Sequence, residues 1–274
     1  MRKGALGFLL AFPSSLVVLV FALVPMAVSL YLSFTSWTGL GGAEWVGWEN
    51  YRRLLGDPRF QRYLLHTLTY ALFAVPLGVV FPLLVALAIH NLTGIWAGVF
   101  RTLYYLPLVT GVVATALLVQ ALVGLFPKNP LARPETVLPA LAVFSVWQGM
   151  GSAILLYLAG LSRLPRELYE AAAVDGAGPW ASFRHVTLPG LLPVVSLVAV
   201  LSTIAAIQVF EAVVFLTRGG PGDASTTLSL FIYQTAFRYF RMGEATAMAW
   251  LVALGLGLLV YAQRRLERRL DAQA

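Results

Sequence analysis

Six apolar stretches, each long enough to cross a lipid bilayer, constrain the fold of this chain more than any other feature. A transmembrane helix needs about 20 mostly apolar residues, because each residue adds about 1.5 Å against a hydrocarbon core of about 30 Å. We therefore predict an all-α, polytopic membrane protein with six transmembrane helices, forming a single transmembrane domain over residues 1–274. The predicted spans are Leu6–Leu32, Leu68–Ile89, Thr102–Phe126, Val137–Leu161, Leu188–Leu216 and Ala245–Gln263.

The composition agrees with a membrane location. Hydrophobic residues make up 59% of the chain and charged residues only 11%, whereas a soluble domain carries about 25% charged residues. The net charge of +7 is typical of basic anchors beside anionic lipid, so it does not indicate a nucleic-acid partner. The apolar run after Arg2 and Lys3 is much longer than the apolar region of a signal peptide, and we interpret it as a retained anchor.

Charge gives only a weak indication of orientation. Six spans place both termini on the same side of the membrane as the loop that follows the fourth span. Basic residues are nearly equally divided between the two sides, and those at the chain ends favour a cytoplasmic location for the termini.

The loop over residues 163–187 departs from the apolar pattern and has strong local signals. Pro165 and Pro179 suit the first turn of a helix, where a missing N–H removes no hydrogen bond. Gly176 suits the position just past a helix end, where φ is often positive. The sequence therefore predicts a short helix, a break at Gly176 and a second short helix, with Trp180 and Phe183 on one face.

The charges of this loop cancel, which is unlike the Lys/Arg-rich face of a helix that lies on anionic lipid. The alanines that follow Glu170 permit close approach to another protein. On these residues alone, two interpretations stay open: a docking surface for a protein, and a connector that only joins two spans.

A family resemblance favours the docking surface. Glu170-Ala171-Ala172, Gly176 and Leu188-Pro189 resemble the EAA signature of permease subunits from binding-protein-dependent ABC importers. The string LYEAAAVDGAGP followed by TLP is similar to the sugar-permease branch, with relatives that carry maltose or glycerol phosphate. The segments FRTLYYLP at 100–107, LTRGGPGDASTTLSLFIYQTAF at 216–237 and GWENYRRLLGDPRF at 47–60 also resemble this branch.

The resemblance implies a type I importer permease fold, with core helices over 64–263 and a coupling loop over 163–187 that docks on a cytoplasmic ATPase. It implies a bacterial or archaeal cytoplasmic membrane, with both termini cytoplasmic. The implied partners are a second homologous permease, two ATPase subunits that hold ATP and Mg²⁺, an extracytoplasmic solute-binding protein, a sugar and membrane lipid. The implied coupling residues are Glu170, Ala171, Ala172, Asp175, Gly176, Ala177, Leu188 and Pro189.

Motifs for catalysis are absent from the sequence. The only lysines, Lys3 and Lys128, do not belong to a phosphate-binding loop, so ATP hydrolysis is expected on a separate subunit. There is no cysteine, no zinc-protease motif and no serine nucleophile elbow. We therefore expect no enzyme activity, metal or cofactor in this chain. A permease for glycerol phosphate and an ion-coupled secondary transporter remain as alternatives.

Polar residues within the apolar spans are the candidates for contact with the solute. Glu211 is the one acid inside a predicted span, and intramembrane charges commonly mark transport pathways. Alternatively, the Glu211 carboxylate only reaches water or Arg218. Neutral hydrogen-bonding side chains suited to sugar hydroxyls, or to linking helices, are Gln148, Ser152, Ser202 and Gln208. Relatives that carry maltose use asparagines after the EAA loop, and 202–208 contains none, so the identity of the sugar stays open.

Overall fold

The computed structural model describes residues 12–90 and 92–271, and this part of the chain is mainly helical. The helices are α1 (Phe12–Leu32), α2 (Glu49–Gly56), α3 (Pro58–His90), α4 (Gly94–Thr110), α5 (Val112–Gly124), α6 (Pro134–Leu161), α7 (Arg166–Val174), α8 (Pro179–Ile207), α9 (Glu211–Leu216), α10 (Leu228–Phe237) and α11 (Met242–Asp271). Two short antiparallel strands, β1 (Thr35–Ser36) and β2 (Glu44–Trp45), form a small hairpin. A 3₁₀ turn spans Pro130–Ala132.

Within residues 12–90 and 92–271, five helices are long and apolar enough to cross a membrane, namely α1, α3, α6, α8 and α11. They correspond to the predicted spans one, two, four, five and six, so the all-α polytopic class is confirmed. The predicted residues 6–11 of span one lie outside the described residues. Helix α11 is longer than the predicted sixth span, because a search for apolar residues leaves out the polar ends of this helix. The division into one permease domain with core helices over 64–263 stays a prediction.

The third predicted span, Thr102–Phe126, is strongly bent. The chain forms α4 and α5, and these helices meet at an angle of 100°. Gly111 lies between them with φ 75° and ψ 144°, a conformation that residues with a Cβ rarely adopt. The Thr110 hydroxyl donates to the carbonyl of Pro107 at 3.0 Å, and the Thr115 hydroxyl donates to Gly111 at 2.7 Å. Counting α4 and α5 together as one broken span gives the predicted six.

The fifth predicted span, Leu188–Leu216, is interrupted as well. Helix α8 ends at Ile207, and α9 begins at Glu211 after a break at 208–210. The carbonyl of Val209 in this break accepts a hydrogen bond from the Thr227 hydroxyl at 3.2 Å. Glu211 therefore lies in the first turn of a short helix and not within a continuous span.

The described residues divide into two compact units. The first combines residues 12–61 with 231–255. Its hairpin is held by Asn50, whose side-chain amide donates to the carbonyls of Ser33 at 2.8 Å and Thr35 at 2.9 Å. The N–H of Gly243 donates to the carbonyl of Trp37 at 3.2 Å. These bonds connect the hairpin to α2 and to the start of α11.

The second unit combines residues 62–230 with 256–271 and contains two buried apolar clusters. One cluster is centred on Leu141 and the other on Tyr157, and both residues lie on α6 and are fully buried. The Tyr157 hydroxyl donates to the carbonyl of Val79 at 3.1 Å, three residues before Pro82 in α3. A side chain on one helix thus supports the backbone of another near a proline, as expected for a packed membrane bundle.

Candidate functional sites: the 163–187 loop and a polar cleft

The 163–187 loop has the predicted break at Gly176. The N–H of Gly176 donates to Ala173 at 3.1 Å, and the N–H of Ala177 donates to Ala172 at 2.9 Å. These two bonds form a Schellman motif, which satisfies the last carbonyls of α7. Gly176 has φ 77°, so the chain turns sharply here because this residue has no Cβ.

Beyond the break the chain differs from the prediction in one respect. Pro179 begins a helix, as predicted, but this helix runs without interruption into the fifth span as α8. A π-helical turn at Phe183–Thr187 lies within it, and the N–H of Leu188 donates to Phe183. The ring of Pro189 would clash with the carbonyl of His185 in a regular α-helix. The widened turn accommodates this proline, so one helix connects the loop to the bundle.

Contacts between the two parts of the loop hold it in a defined shape. The hydroxyls of Tyr169 and Thr187 are hydrogen-bonded at 3.0 Å. Leu164 packs against Gly190 so closely that a methyl group added at this glycine would lie 2.5 Å from Leu164 Cδ2. The rings of Trp180 and Phe183 lie 5.5 Å apart, as their spacing predicted. Helix α7 is thereby attached to the beginning of α8.

The 163–187 loop exposes several apolar side chains on its surface. Val174 is 88% exposed, Trp180 is 72% exposed and Leu168 is 49% exposed. Such exposed apolar residues commonly mark surfaces that contact another protein or a membrane. Of the predicted coupling residues, Ala172, Ala177 and Leu188 are half-buried, and the exposed ones are Glu170, Ala171, Asp175, Gly176 and Pro189.

A cleft of about 810 Å³ lies in the second unit. Its walls come from α3, α4, α5, α6, α8 and the start of α9. Its volume falls within the range of about 300–1,000 Å³ that is typical of small-molecule pockets. All five predicted solute-path residues line it, namely Gln148, Ser152, Ser202, Gln208 and Glu211.

Some of the neutral polar side chains in the cleft already form hydrogen bonds within the protein. The Gln148 side-chain amide donates to the carbonyl of Pro107 in the last turn of α4, which also accepts from the Thr110 hydroxyl. The Ser152 hydroxyl donates to the carbonyl of Gly149 at 2.9 Å within α6. Ser202 lies where α8 approaches Gly78 of α3 closely. Gln148 thus links α6 to α4, in addition to lining the cleft.

Glu211 and Gln208 are exposed at the break between α8 and α9. Among the residues that the structure describes, Glu211 forms no ion pair, so the suggested contact with Arg218 is not present. Glu211 is also the single charged side chain among the described residues that line the cleft.

Sequence reasoning missed several residues that line the cleft, including Tyr70, Gly78, Ser145 and Phe210. Ser145 precedes Gln148 by three positions and Ser152 by seven, so the three share one face of α6. That spacing could have identified Ser145. Tyr70 and Gly78 lie on another helix, and only the packing of α3 brings them here.

Known proteins match this chain over most of its length. Residues 53–272 match the family model described as "Binding-protein-dependent transport system inner membrane component". "Probable ABC transporter permease protein YesP" of Bacillus subtilis is 36% identical, over 94% of this chain and 89% of that protein. A trehalose/maltose transport system permease protein of Thermococcus litoralis is 32% identical, over 89% of this chain and 86% of that protein.

A solved structure has a similar fold. It is described as a bacterial ABC transporter involved in the import of the acidic polysaccharide alginate, and the likeness has a TM-score of 0.83 at 25% identity. It covers 98% of this chain and 96% of the matched chain. The helices described above therefore form a type I importer permease fold. With the family model matched over most of the sequence, the chain belongs to the inner-membrane components of binding-protein-dependent transport systems, the permease subunits of ABC importers.

Proposed function

We propose that this chain is the permease subunit of an ATP-driven importer that moves a sugar, delivered by an extracytoplasmic binding protein, across the cytoplasmic membrane. The match to the permease family over residues 53–272 carries this proposal. A relative named for trehalose and maltose, and a similar fold described in alginate import, support a saccharide as the solute.

The 163–187 loop is the coupling element in this proposal. Two ATPase subunits bind ATP and Mg²⁺, and this loop docks in a cleft of one of them, with both termini of the chain on the same cytoplasmic side. The exposed Leu168, Val174 and Trp180 supply an apolar contact, and Glu170 supplies a polar one. Packed interfaces shift between discrete states, so closure of the ATPase pair moves this loop as a unit.

The cleft is the part of the solute path that this subunit contributes. A second, homologous permease completes the path in the membrane. Backbone and side-chain groups along α6 and α8 offer hydrogen bonds to sugar hydroxyls, while the surrounding walls are mostly apolar. Such a lining of apolar walls with a few polar groups is typical of small-molecule sites.

Reconstitution tests the proposal. The chain is purified with its permease partner, ATPase subunits and binding protein, placed in liposomes, and screened with neutral, acidic and amino sugars for stimulated ATP hydrolysis. At least one sugar should stimulate hydrolysis and accumulate in the vesicles. A complex that assembles but responds to no saccharide, and to a solute of another class instead, would refute a sugar importer.

A double variant tests the cleft separately. Gln208→Leu with Glu211→Leu removes the two exposed polar groups at the break between α8 and α9, and uptake should fall while assembly with the ATPase remains. A matched control is Glu135→Leu, because Glu135 is an exposed acid in the first turn of α6 that does not line the cleft. Unchanged uptake of every sugar by the double variant would leave these residues with a structural role only.

A further inference from the structure

The charge of the cleft is the feature that the proposed function leaves unexplained. Its lining includes several neutral hydrogen-bonding side chains, one carboxylate and, among the described residues, no lysine or arginine. A concave surface with low-dielectric walls focuses the field of the charges that line it. The single carboxylate therefore sets the sign of the potential that this subunit's described lining contributes to the cleft.

The carboxylate of Glu211 is available to a solute. The residue is exposed, it lines the cleft, and no ion pair neutralises it in the part of the chain that the structure describes. Arg218, the nearest base in the sequence, lies beyond the other end of α9 and does not line the cleft. An ionised carboxylate accepts hydrogen bonds and donates none.

We propose that Glu211 acts as a charge filter, which admits neutral and amino sugars to the cleft and disfavours anionic ones such as uronates and sugar or glycerol phosphates. This inference rests on the proposed function. Hydroxyl groups of a neutral sugar donate to the Glu211 carboxylate, and the ammonium group of an amino sugar is attracted to it. A solute carboxylate or phosphate meets repulsion there, with no base in the described lining to offset it.

The fold alone does not distinguish neutral from anionic saccharides. A protein with the same fold is described in the import of an acidic polysaccharide, at 25% identity. The backbone is thus compatible with an anionic solute, and the charge preference has to come from side chains. In this chain, the Glu211 side chain lies where it can supply this charge preference.

A thiol-reactivity experiment measures the charge preference without knowledge of the sugar. The chain has no cysteine, so Ala205→Cys introduces one thiol into this subunit, at an exposed position on the cleft wall. The assembled complex is treated with cationic, neutral and anionic methanethiosulfonates, and mass spectrometry follows labelling of this thiol. Rates are divided by those of free cysteine with each reagent.

The cationic reagent should label position 205 about tenfold or more faster than the anionic one, and Glu211→Gln should bring this ratio close to one. The matched control Glu135→Gln should leave the ratio unchanged, since Glu135 does not line the cleft. An equal ratio with and without Glu211 would overturn the charge filter. That outcome is independent of the sugar screen, so failure of the filter and failure of the proposed function are distinguishable.

Uptake gives the second readout. In the liposomes of the sugar screen, glucuronate should be a much weaker competitor than glucose or glucosamine for uptake of the transported sugar. Glu211→Gln should narrow that difference, and equal competition by all three in the wild-type complex would contradict the proposal.

Discussion

Gly176→Val is the sharpest test of the 163–187 loop as a coupling element. Gly176 has φ 77°, and no heavy atom beyond its chain neighbours lies within 4 Å of the position that a Cβ would occupy. The Cβ of a substituted residue would therefore meet no steric clash with distant parts of the chain, and the main cost of the substitution comes from the backbone conformation. A left-handed conformation costs an ordinary residue roughly 1–2 kcal/mol, and a β-branched residue resists it more strongly.

This free energy is large enough to change the shape of the loop. A difference of about 1–2 kcal/mol changes the ratio of two conformations by a factor of about 5–30. The Schellman bonds from Gly176 and Ala177 would be lost in a large fraction of the molecules, and α7 would no longer be held at its present angle to α8. Uptake and binding-protein-stimulated ATP hydrolysis should both fall severalfold in Gly176→Val, at equal amounts of inserted protein.

The loop offers two matched controls. Gly178 has φ −71° and ψ 173° and, like Gly176, open space around its Cβ position. Gly178→Val should therefore keep near wild-type coupling, since an extended conformation suits a β-branched residue. Gly176→Asn should be milder than Gly176→Val, because asparagine tolerates a positive φ. Wild-type uptake and stimulated ATPase activity in Gly176→Val would refute a coupling role for the 163–187 loop.

Three further predictions concern the loop, the topology and the first unit. Glu170→Ala should weaken binding of the ATPase subunits by about 2–5 kcal/mol at most if the carboxylate meets a buried charge there; unchanged affinity in a pull-down titration would exclude such a contact. Cysteines placed at Ser182 and Ala224 should react with impermeant thiol reagents from opposite sides of the membrane, and labelling from one side would contradict six spans. Asp57→Ala should cost about 1 kcal/mol at neutral pH, because the Asp57 carboxylate accepts the backbone N–H of Arg59 at 2.8 Å and its guanidinium at 2.9 Å. Partial burial raises the pKa of Asp57, but the hydrogen bonds and charge of Arg59 outweigh it and leave the pKa below its ordinary 3.8. The Asp57 carboxylate therefore stabilises the fold above pH 3.8, and this stabilisation is lost as the pH falls through the lowered pKa. The difference in thermal unfolding temperature between wild type and Asp57→Ala should shrink in acid. A difference that persists unchanged would contradict a stabilising role for this carboxylate.

Local rules predicted the loop well, and they predicted the long apolar helices less completely. Pro165, Gly176 and Pro179 have conformational preferences that act within one or two residues, so the sequence alone identified where both helices of the loop begin and where the first one ends. A hydropathy window averages over about 20 residues and does not register one glycine with positive φ. It therefore missed the 100° bend at Gly111.

The break between α8 and α9 had a different cause. The carbonyl of Val209 finds its partner in Thr227, which lies 18 residues further along the chain. A hydrogen bond between distant segments can replace one within a helix, and nothing in the local sequence shows which will form. The five cleft residues were selected one by one for polarity, and their meeting in one cavity depended on the packing of α6 against α8.

Because α8 is continuous, the direction in which its loop end faces fixes the direction in which its cleft residues face. Pro179 and Ser202 lie on one helix, about 35 Å apart at 1.5 Å per residue, and each residue turns the helix by about 100°. One residue inserted between 190 and 197 would turn Val198 and Ser202 away from the cleft while the loop kept its orientation. The π-helical turn at Phe183–Thr187 already accommodates an additional residue. A one-residue change in length at Phe183–Thr187 therefore affects the rotational phase between the loop and the cleft differently from the same change in the regular part of α8.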